Sequence, residues 1–229
     1  MIGEPIALTI RRTISRPAAA VLDKFQGAPT GFVTDAFNGK GCLDYAIKPL
    51  TAEMYLCGPA VTAFCPPGDI LAVMATLDVA KKGDVIVIAG GGETSAAKLG
   101  DLWLHWAGKI GVVGVVVDGL VRDVNGLLST GVPVFSRGAC PNGGFKNGPG
   151  EVNMPVSCGG IAINPGDIIV GDRDGVVAVP LTRAEEVVSQ LELVRQKEAE
   201  AERKVKSGQK LEFWKEAALQ ARNAVRYID

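Results

Sequence analysis

Apolar positions along this chain change their period several times, and each change predicts an element. In "YLCGPAVTAFCPPGD" (55–69) apolar and small residues alternate, predicting a strand that stops at Pro66-Pro67. "ILAVMATLDVA" (70–80) carries apolar residues at helical spacing, and "GDVIVIAGGG" (83–92) predicts a buried strand ending in a glycine loop. Residues 95–109 read as a helix and Val112–Val117 as a second buried strand. Upstream, residues 1–30 predict a short extended piece and then a helix ending near Gly27. "TDAFNG" (34–39) predicts a short helix capped by Thr34 or Asp35.

Downstream the pattern shortens. "VPVFSRG", "VNMPVSCGGIAIN" and "GDIIVGDRDGVVAVP" predict antiparallel strand pairs joined by tight turns, the clearest at Arg173-Asp174-Gly175. After Pro180 the composition turns strongly helix-forming, with Thr182 as the expected N-cap and Gly208 as the terminator. Residues 196–206 are too polar to be buried on any face, so this stretch either stays solvated or reaches a partner subunit. The reading is one α/β domain over residues 1–229 with a mixed core, in which 182–229 form a C-terminal helical arm.

Composition narrows the function classes. The chain has 229 residues, 47% hydrophobic, and a formal net charge of −1. That balance provides no whole-chain attraction for nucleic acid or an anionic membrane and favours a small-molecule or protein partner. No run approaches the ~20 apolar residues of a membrane span, and the first residues lack a signal-peptide core. Five scattered cysteines without a CxxC pair, and a single histidine, His105, fit reduced thiols in a cytoplasmic protein and argue against structural zinc.

The stretch "GDLWLHWAGKIGVVGVVVDGLVRD" (100–123) frames an apolar strand with charges at both ends. Three readings compete. Asp101 is a helix cap, Asp118-Gly119 a turn and Arg122 a surface cation. Or "DVIVIAGGGETS" followed by a helix and a strand ending in Asp118 is a dinucleotide site, although the third glycine of that fingerprint is missing. Or the two ends meet. A helix of ~9 residues spans ~13 Å and six strand residues retrace ~20 Å, so Asp101 and Arg122-Asp123 can converge on one rim. A helix N-terminus, an Arg fork and two carboxylates can together hold one anionic substrate and one hard divalent cation.

Asp101, twenty residues, then Arg122-Asp123 resembles the D-x20-R-D signature of the class II pyruvate aldolases with the fold of the regulator of ribonuclease activity A, the RraA-like family. "GDL" (100–102), "GVVVDGLVRD" (114–123), "GVPVF" (131–135) and "INPGDIIVGDRDGVVAVP" (163–180) extend the likeness over roughly residues 25–210. The resemblance implies an α/β sandwich related to the swivelling phosphohistidine domains, assembled as homotrimers or homohexamers with sites between subunits. It implies cleavage of 4-hydroxy-4-methyl-2-oxoglutarate or 4-carboxy-4-hydroxy-2-oxoadipate to pyruvate, dependent on Mg²⁺ or Mn²⁺, with oxaloacetate decarboxylation as a side activity. It further implies a place in the degradation of aromatic compounds.

Carried over by residue, Arg122 binds the pyruvyl carboxylate and keto oxygen. Asp123 is the direct metal ligand, and Asp101 orients water around the ion. The backbone at Gly100, Leu102 and Trp103 grips the carboxylate. Glu198 matches the acid lent by a neighbouring subunit, with Glu200 and Glu202 as near alternatives. One departure is Gly126, where many members carry a further acid. Some members instead regulate ribonuclease E by protein binding and tend to lose the acidic pair. Both acids are present here, which favours the enzyme. Outside the signature, Lys98 reads as a surface lysine, His105 as a structural histidine, and Trp103 and Trp106 as core or interface aromatics. Asp172 and Asp174 read as turn residues, and the glycines at 90–92 as a place where backbone approaches the site.

Overall fold

A computed structural model describes residues 6–210 of the chain. Two compact units follow one another, Met1–Leu191 and Glu192–Asp229. The expected arm beyond residue 210 lies outside the described residues.

Among the described residues, every strand lies in the first unit: β1 (Leu8–Ile10), β2 (Lys48–Pro49), β3 (Leu56–Phe64), β4 (Val85–Ala97), β5 (Gly114–Val121), β6 (Val134–Ser136), β7 (Gly138–Ala139), β8 (Gly150–Val152), β9 (Val156–Cys158), β10 (Ile161–Ile163), β11 (Ile168–Asp172) and β12 (Gly175–Val179). Its helices are α1 (Ala19–Leu22), α2 (Thr30–Ala36), α3 (Leu71–Ala75), α4 (Asp101–Ile110) and α5 (Val124–Ser129). A further helix, α6 (Ala184–Lys206), begins in this unit.

The central sheet runs β1-β8-β3-β4-β5-β6-β2, and β11 with its partner β12 joins at β3. Strands β3, β4, β5 and β6 are mutually parallel. Such strands are covered on both faces, which is why their sequences are nearly continuous Val, Ile and Ala. The pleat then sorts them. Ile86, Ile88, Val115 and Val117 face a core shared with Ala72 and Val73 of α3, Leu104 and Ala107 of α4, and Leu127 of α5. Val85, Val87 and Val116 face the opposite core with Val156, Cys158, Ile163, Ile169 and Val176. Helices cover one face and short antiparallel strands the other, so the expected α/β sandwich is the fold found. In the second unit α6 continues to Lys206, and Gly208 at φ 78° follows the helix end.

Several local expectations change. The glycines at 90–92 do not end β4. Gly91 and Gly92 take positive φ (64° and 73°), which lets the strand bulge and resume pairing at Glu93↔Gly119 and Ala97↔Leu120. The helix expected from 95 therefore starts only at Asp101. With strand rather than helix following the glycines, no helix N-terminus meets them, and the dinucleotide reading loses its phosphate site.

Asp118 is not in a turn. It sits inside β5, buried, because Arg137 Nε donates to its Oδ1 at 2.6 Å and the Gly159 N–H to its Oδ2 at 2.9 Å. Burial by itself lowers the Arg137 pKa, but hydrogen bonds to Asp118 and Asp44 outweigh it and raise the pKa. The helix expected at 34–39 is α2 instead, with Pro29 at its N-cap position. Its first N–H and the Thr30 hydroxyl are held by the distant Asp172 carboxylate at 2.8 and 2.7 Å, a cap that local spacing cannot reveal. Thr182 lies in a 3₁₀ turn, Leu181–Arg183, with Pro180 at its N-cap position. "VPVFSRG" forms β6, which runs parallel to β5, whereas β9–β10 and β11–β12 are antiparallel as expected.

Candidate active site

Because β4 and β5 are parallel, the segments that leave them emerge at the same sheet end, the end where open α/β sheets bind ligands. After β4, Gly100 is extended (φ −134°, ψ −177°) and turns the chain into α4 with Asp101 as its first residue. After β5, Arg122 leads into Asp123, which starts α5 from the left-handed conformation (φ 58°, ψ 43°). A non-glycine residue there is uncommon, although Asp is among the types that tolerate it.

Three glycines bring these two turns together. A Cβ at Gly100 would stand 2.5 Å from Asp123 Oδ2 and 3.2 Å from Arg122 Nε. One at Gly126 would collide with the Asp101 carboxylate and come within 2.6 Å of its Cβ. One at Gly143 would stand 2.6 Å from Arg122 Nη1. Asp101, Arg122 and Asp123 consequently line a single cleft of about 370 Å³ with Gly100, Leu102 and Trp103. Ile70, Met74 and Leu99 supply apolar lining, and Gly143, Gly144 and Lys146 complete it.

Arg122 Nε lies 3.3 Å from Asp123 Oδ2, both side chains about half exposed, so the guanidinium keeps donors for a ligand. Asp101 Oδ1 accepts the Leu102 N–H at 2.7 Å. That amide, expected to grip a substrate carboxylate, is engaged by the chain's own acid and becomes available only if Asp101 turns away. Asp101 and Asp123 are the acids of the cleft that could hold a cation. Among the described residues no group of three or more His, Cys, Asp or Glu converges. Glu198 is solvent-exposed on α6 in the second unit. Glu200 pairs with Lys204 at 2.7 Å and Glu202 with Lys206 at 2.6 Å, both intrahelical contacts.

His105 is exposed on α4 rather than packed. Trp103 is a core aromatic as expected, its indole N–H donating to the Val73 carbonyl at 3.0 Å, and Trp106 is 61% exposed under the Lys109 ammonium. Lys98 is the largest departure from the sequence reading, because its side chain is wholly buried. Sequence reasoning also passed over Ile70, Met74 and the 143–146 segment, which come from parts of the chain with no spacing relation to the signature.

With this geometry in view, residues 19–178 match the family described as "RraA-like: Aldolase/RraA". The chain belongs to the RraA-like family. It is 40% identical over 181 residues, 79% of this chain and 85% of the relative, to a Halalkalibacterium halodurans protein named "Putative 4-hydroxy-4-methyl-2-oxoglutarate aldolase". Among solved structures, an uncharacterized protein from Pseudomonas syringae pv. tomato superposes with a TM-score of 0.76 at 29% identity, covering 86% of this chain and 97% of that one. Streptomyces coelicolor RraAS2, described as an unusual member of the RNase ES inhibitor RraA protein family, gives 0.75 at 26% identity over 82% and 100%. The RraA-like family thus includes relatives named as aldolases and relatives described as ribonuclease inhibitors.

Proposed function

We propose that the protein is a divalent-metal-dependent aldolase acting on 4-hydroxy-4-methyl-2-oxoglutarate or 4-carboxy-4-hydroxy-2-oxoadipate. The products are pyruvate and a second 2-oxo acid, and oxaloacetate decarboxylation is a side activity. The observation that carries this reading is the meeting of Asp101, Arg122 and Asp123 in one cleft.

The donor set fits a small hard cation. Two carboxylates on a glycine-bared, half-exposed wall suit Mg²⁺ or Mn²⁺, which bind through one or two carboxylates and keep several waters. Asp123 would be the direct ligand, with Asp101 beside it. A cation held there supplies Lewis acidity for the negative charge that develops on the 2-oxo group.

The chain's own residues do the rest. The Arg122 guanidinium offers a planar fork to the carboxylate and keto oxygen of the pyruvyl half, a fixed positive charge where the enolate oxygen develops. When the C3–C4 bond breaks, its electron pair passes into the enolate and the 4-hydroxyl proton must leave. Asp101, in the same cleft, would orient the base that takes it. Protonation at C3 then releases pyruvate. No Schiff base is required, and Lys98 cannot provide one: its ammonium is already bonded to two carbonyls and a carboxylate.

We extend the proposal to assembly. Glu198, exposed and without a place in its own core, would be lent to a neighbouring copy in a homotrimer or homohexamer. The test is pyruvate release by the purified protein from oxaloacetate and from 4-hydroxy-4-methyl-2-oxoglutarate, with Mg²⁺ and then with excess chelator. Turnover that stops with the chelator and returns with Mg²⁺ supports the aldolase. Turnover that persists in a metal-stripped sample overturns the metal requirement. No turnover on either acid, together with inhibition of a ribonuclease, overturns the enzyme in favour of the regulator.

A further inference from the structure

Lys98 has no place in the chemistry just described, yet it is a fully buried lysine directly between β4 and the turn that carries Gly100 and Asp101. Burying an ammonium costs several kcal/mol unless it is paired and hydrogen-bonded. Here all three of its donors are used. The Nζ atom donates to the Pro66 carbonyl at 3.1 Å and the Asp69 carbonyl at 3.3 Å, and it pairs with Glu93 Oε2 at 3.1 Å. The glycines of the bulged region provide the room: a Cβ at Gly90 would stand 3.0 Å from Lys98 Cε, and one at Gly119 3.5 Å from its Cγ.

Each partner is itself tied to the cleft. The Glu93 carboxylate also accepts N–H groups from Gly68 at 3.2 Å, from Ala96 at 3.1 Å, and from Ser95. The Pro66–Asp69 turn in turn holds the segment that closes the cleft. Phe145 N donates to the Gly68 carbonyl at 2.7 Å, and the buried Asp69 carboxylate accepts Asn147 N at 2.6 Å and Gly148 N at 2.8 Å. That segment begins with Gly143, which packs on Arg122 Nη1.

We propose that Lys98 is a positioning residue. With Glu93 and Asp69 it clasps the end of β4, the Pro66–Asp69 turn and the 143–148 segment into one rigid frame that fixes the Arg122 fork. This rests on the proposed function for the role of Arg122, but the clasp itself can be measured without substrate. The frame reaches the reacting groups through Arg122: if the 143–148 segment loosens, Gly143 no longer limits where the guanidinium points.

Hydrogen exchange on the metal-free protein is the first measurement. Lys98→Met keeps the stem and removes the donors, leaving the Glu93 carboxylate without its cation and the Pro66 carbonyl with only the Asp69 N–H at 3.1 Å. Loss of charge-assisted hydrogen bonds should speed exchange at the Phe145, Asn147 and Gly148 amides by on the order of 10- to 100-fold, with β5 amides unchanged. Exchange unchanged at those three amides, or accelerated equally throughout the sheet, overturns the clasp. The second measurement is kcat/KM for oxaloacetate with Mg²⁺. It should fall by on the order of 10²-fold. Activity within about twofold of wild type alongside loosened amides overturns the positioning role.

Should Lys98→Met fail to fold, Asp69→Ala tests the same frame further along, because it removes the oxygen that accepts both amides. It should loosen Asn147 and Gly148 selectively, and unchanged exchange there overturns the clasp. A wild-type protein that releases no pyruvate would count against the proposed function alone, since exchange decides the clasp independently.

Discussion

Gly126 stands where the two turns of the cleft meet. The bare backbone lets α5 lie against the start of α4, because a side chain there would occupy the space of the Asp101 carboxylate. Gly126→Ala should therefore displace Asp101. The gain in helix propensity, ~1 kcal/mol at most, is opposed by the overlap with the Asp101 Cβ, which pushes α5 away from the start of α4. The expected result is kcat/KM lowered on the order of 10²-fold with a lower melting temperature than that of wild type. Undiminished activity would mean that the orientation of Asp101 is immaterial. Arg122 makes a sharper demand. Its fork is planar and a lysine ammonium is a point, so Arg122→Lys should lose about 2–3 kcal/mol of transition-state stabilisation. The fold should survive, since the side chain is about half exposed. Kinetics of the purified variant decide it, and near-wild-type kcat/KM removes Arg122 from the site.

Among the elements, what the sequence revealed followed from periodicity. The Val/Ile runs of β4 and β5 and the spacing of Asp101 from Arg122-Asp123 were readable because parallel strands and the turns after them obey simple geometry. What it hid was long-range pairing of charge. Asp118 looks like a turn residue because its partner Arg137 comes from beyond β6, and Lys98 looks like a surface residue because only the irregular end of β4 brings Glu93 to it. The three glycines suggested a loop, since positive φ serves a bulge and a loop equally well.

The bulge also has a pH signature. Burial raises the Glu93 pKa, but hydrogen bonds from Ser95, Gly68 and Lys98 outweigh it and hold it at about 2, below its ordinary 4.5. A depressed carboxylate stabilises the fold above its unfolded pKa, and that stabilisation is lost as pH falls from about 4.5 toward 2. Glu93→Gln should be less stable than wild type at neutral pH, and the gap should narrow across that acid window. Urea denaturation at several pH values would check this, and a constant gap would remove Glu93 as the titrating group.

For the molecule as a whole, the open matter is whether one chain makes one complete site. The cleft has acids from α4 and from the turn after β5, yet among the described residues no third His, Cys, Asp or Glu joins them. Glu198 lies on a stretch of α6 whose residues 196–200 are all exposed, so nothing in its own core explains an acid there. If a neighbouring copy lends Glu198, an isolated protomer is incomplete and two damaged proteins can repair each other. Arg122→Ala and Glu198→Ala proteins, each nearly inactive, should regain activity when dissociated and reassociated together. A closed head-to-tail ring then contains interfaces that pair an intact Arg122 with an intact Glu198. In a randomly mixed ring about a quarter of the sites would combine the two intact residues, so recovery should approach that fraction of wild-type activity. Mixed rings with no activity above the parents would leave Glu198 a solvated surface acid or confine its role to its own chain. The same mixture made with Glu200→Ala or Glu202→Ala tests the alternatives. Both are held in intrahelical pairs with Lys204 and Lys206, so each would have to break that contact to reach a neighbour.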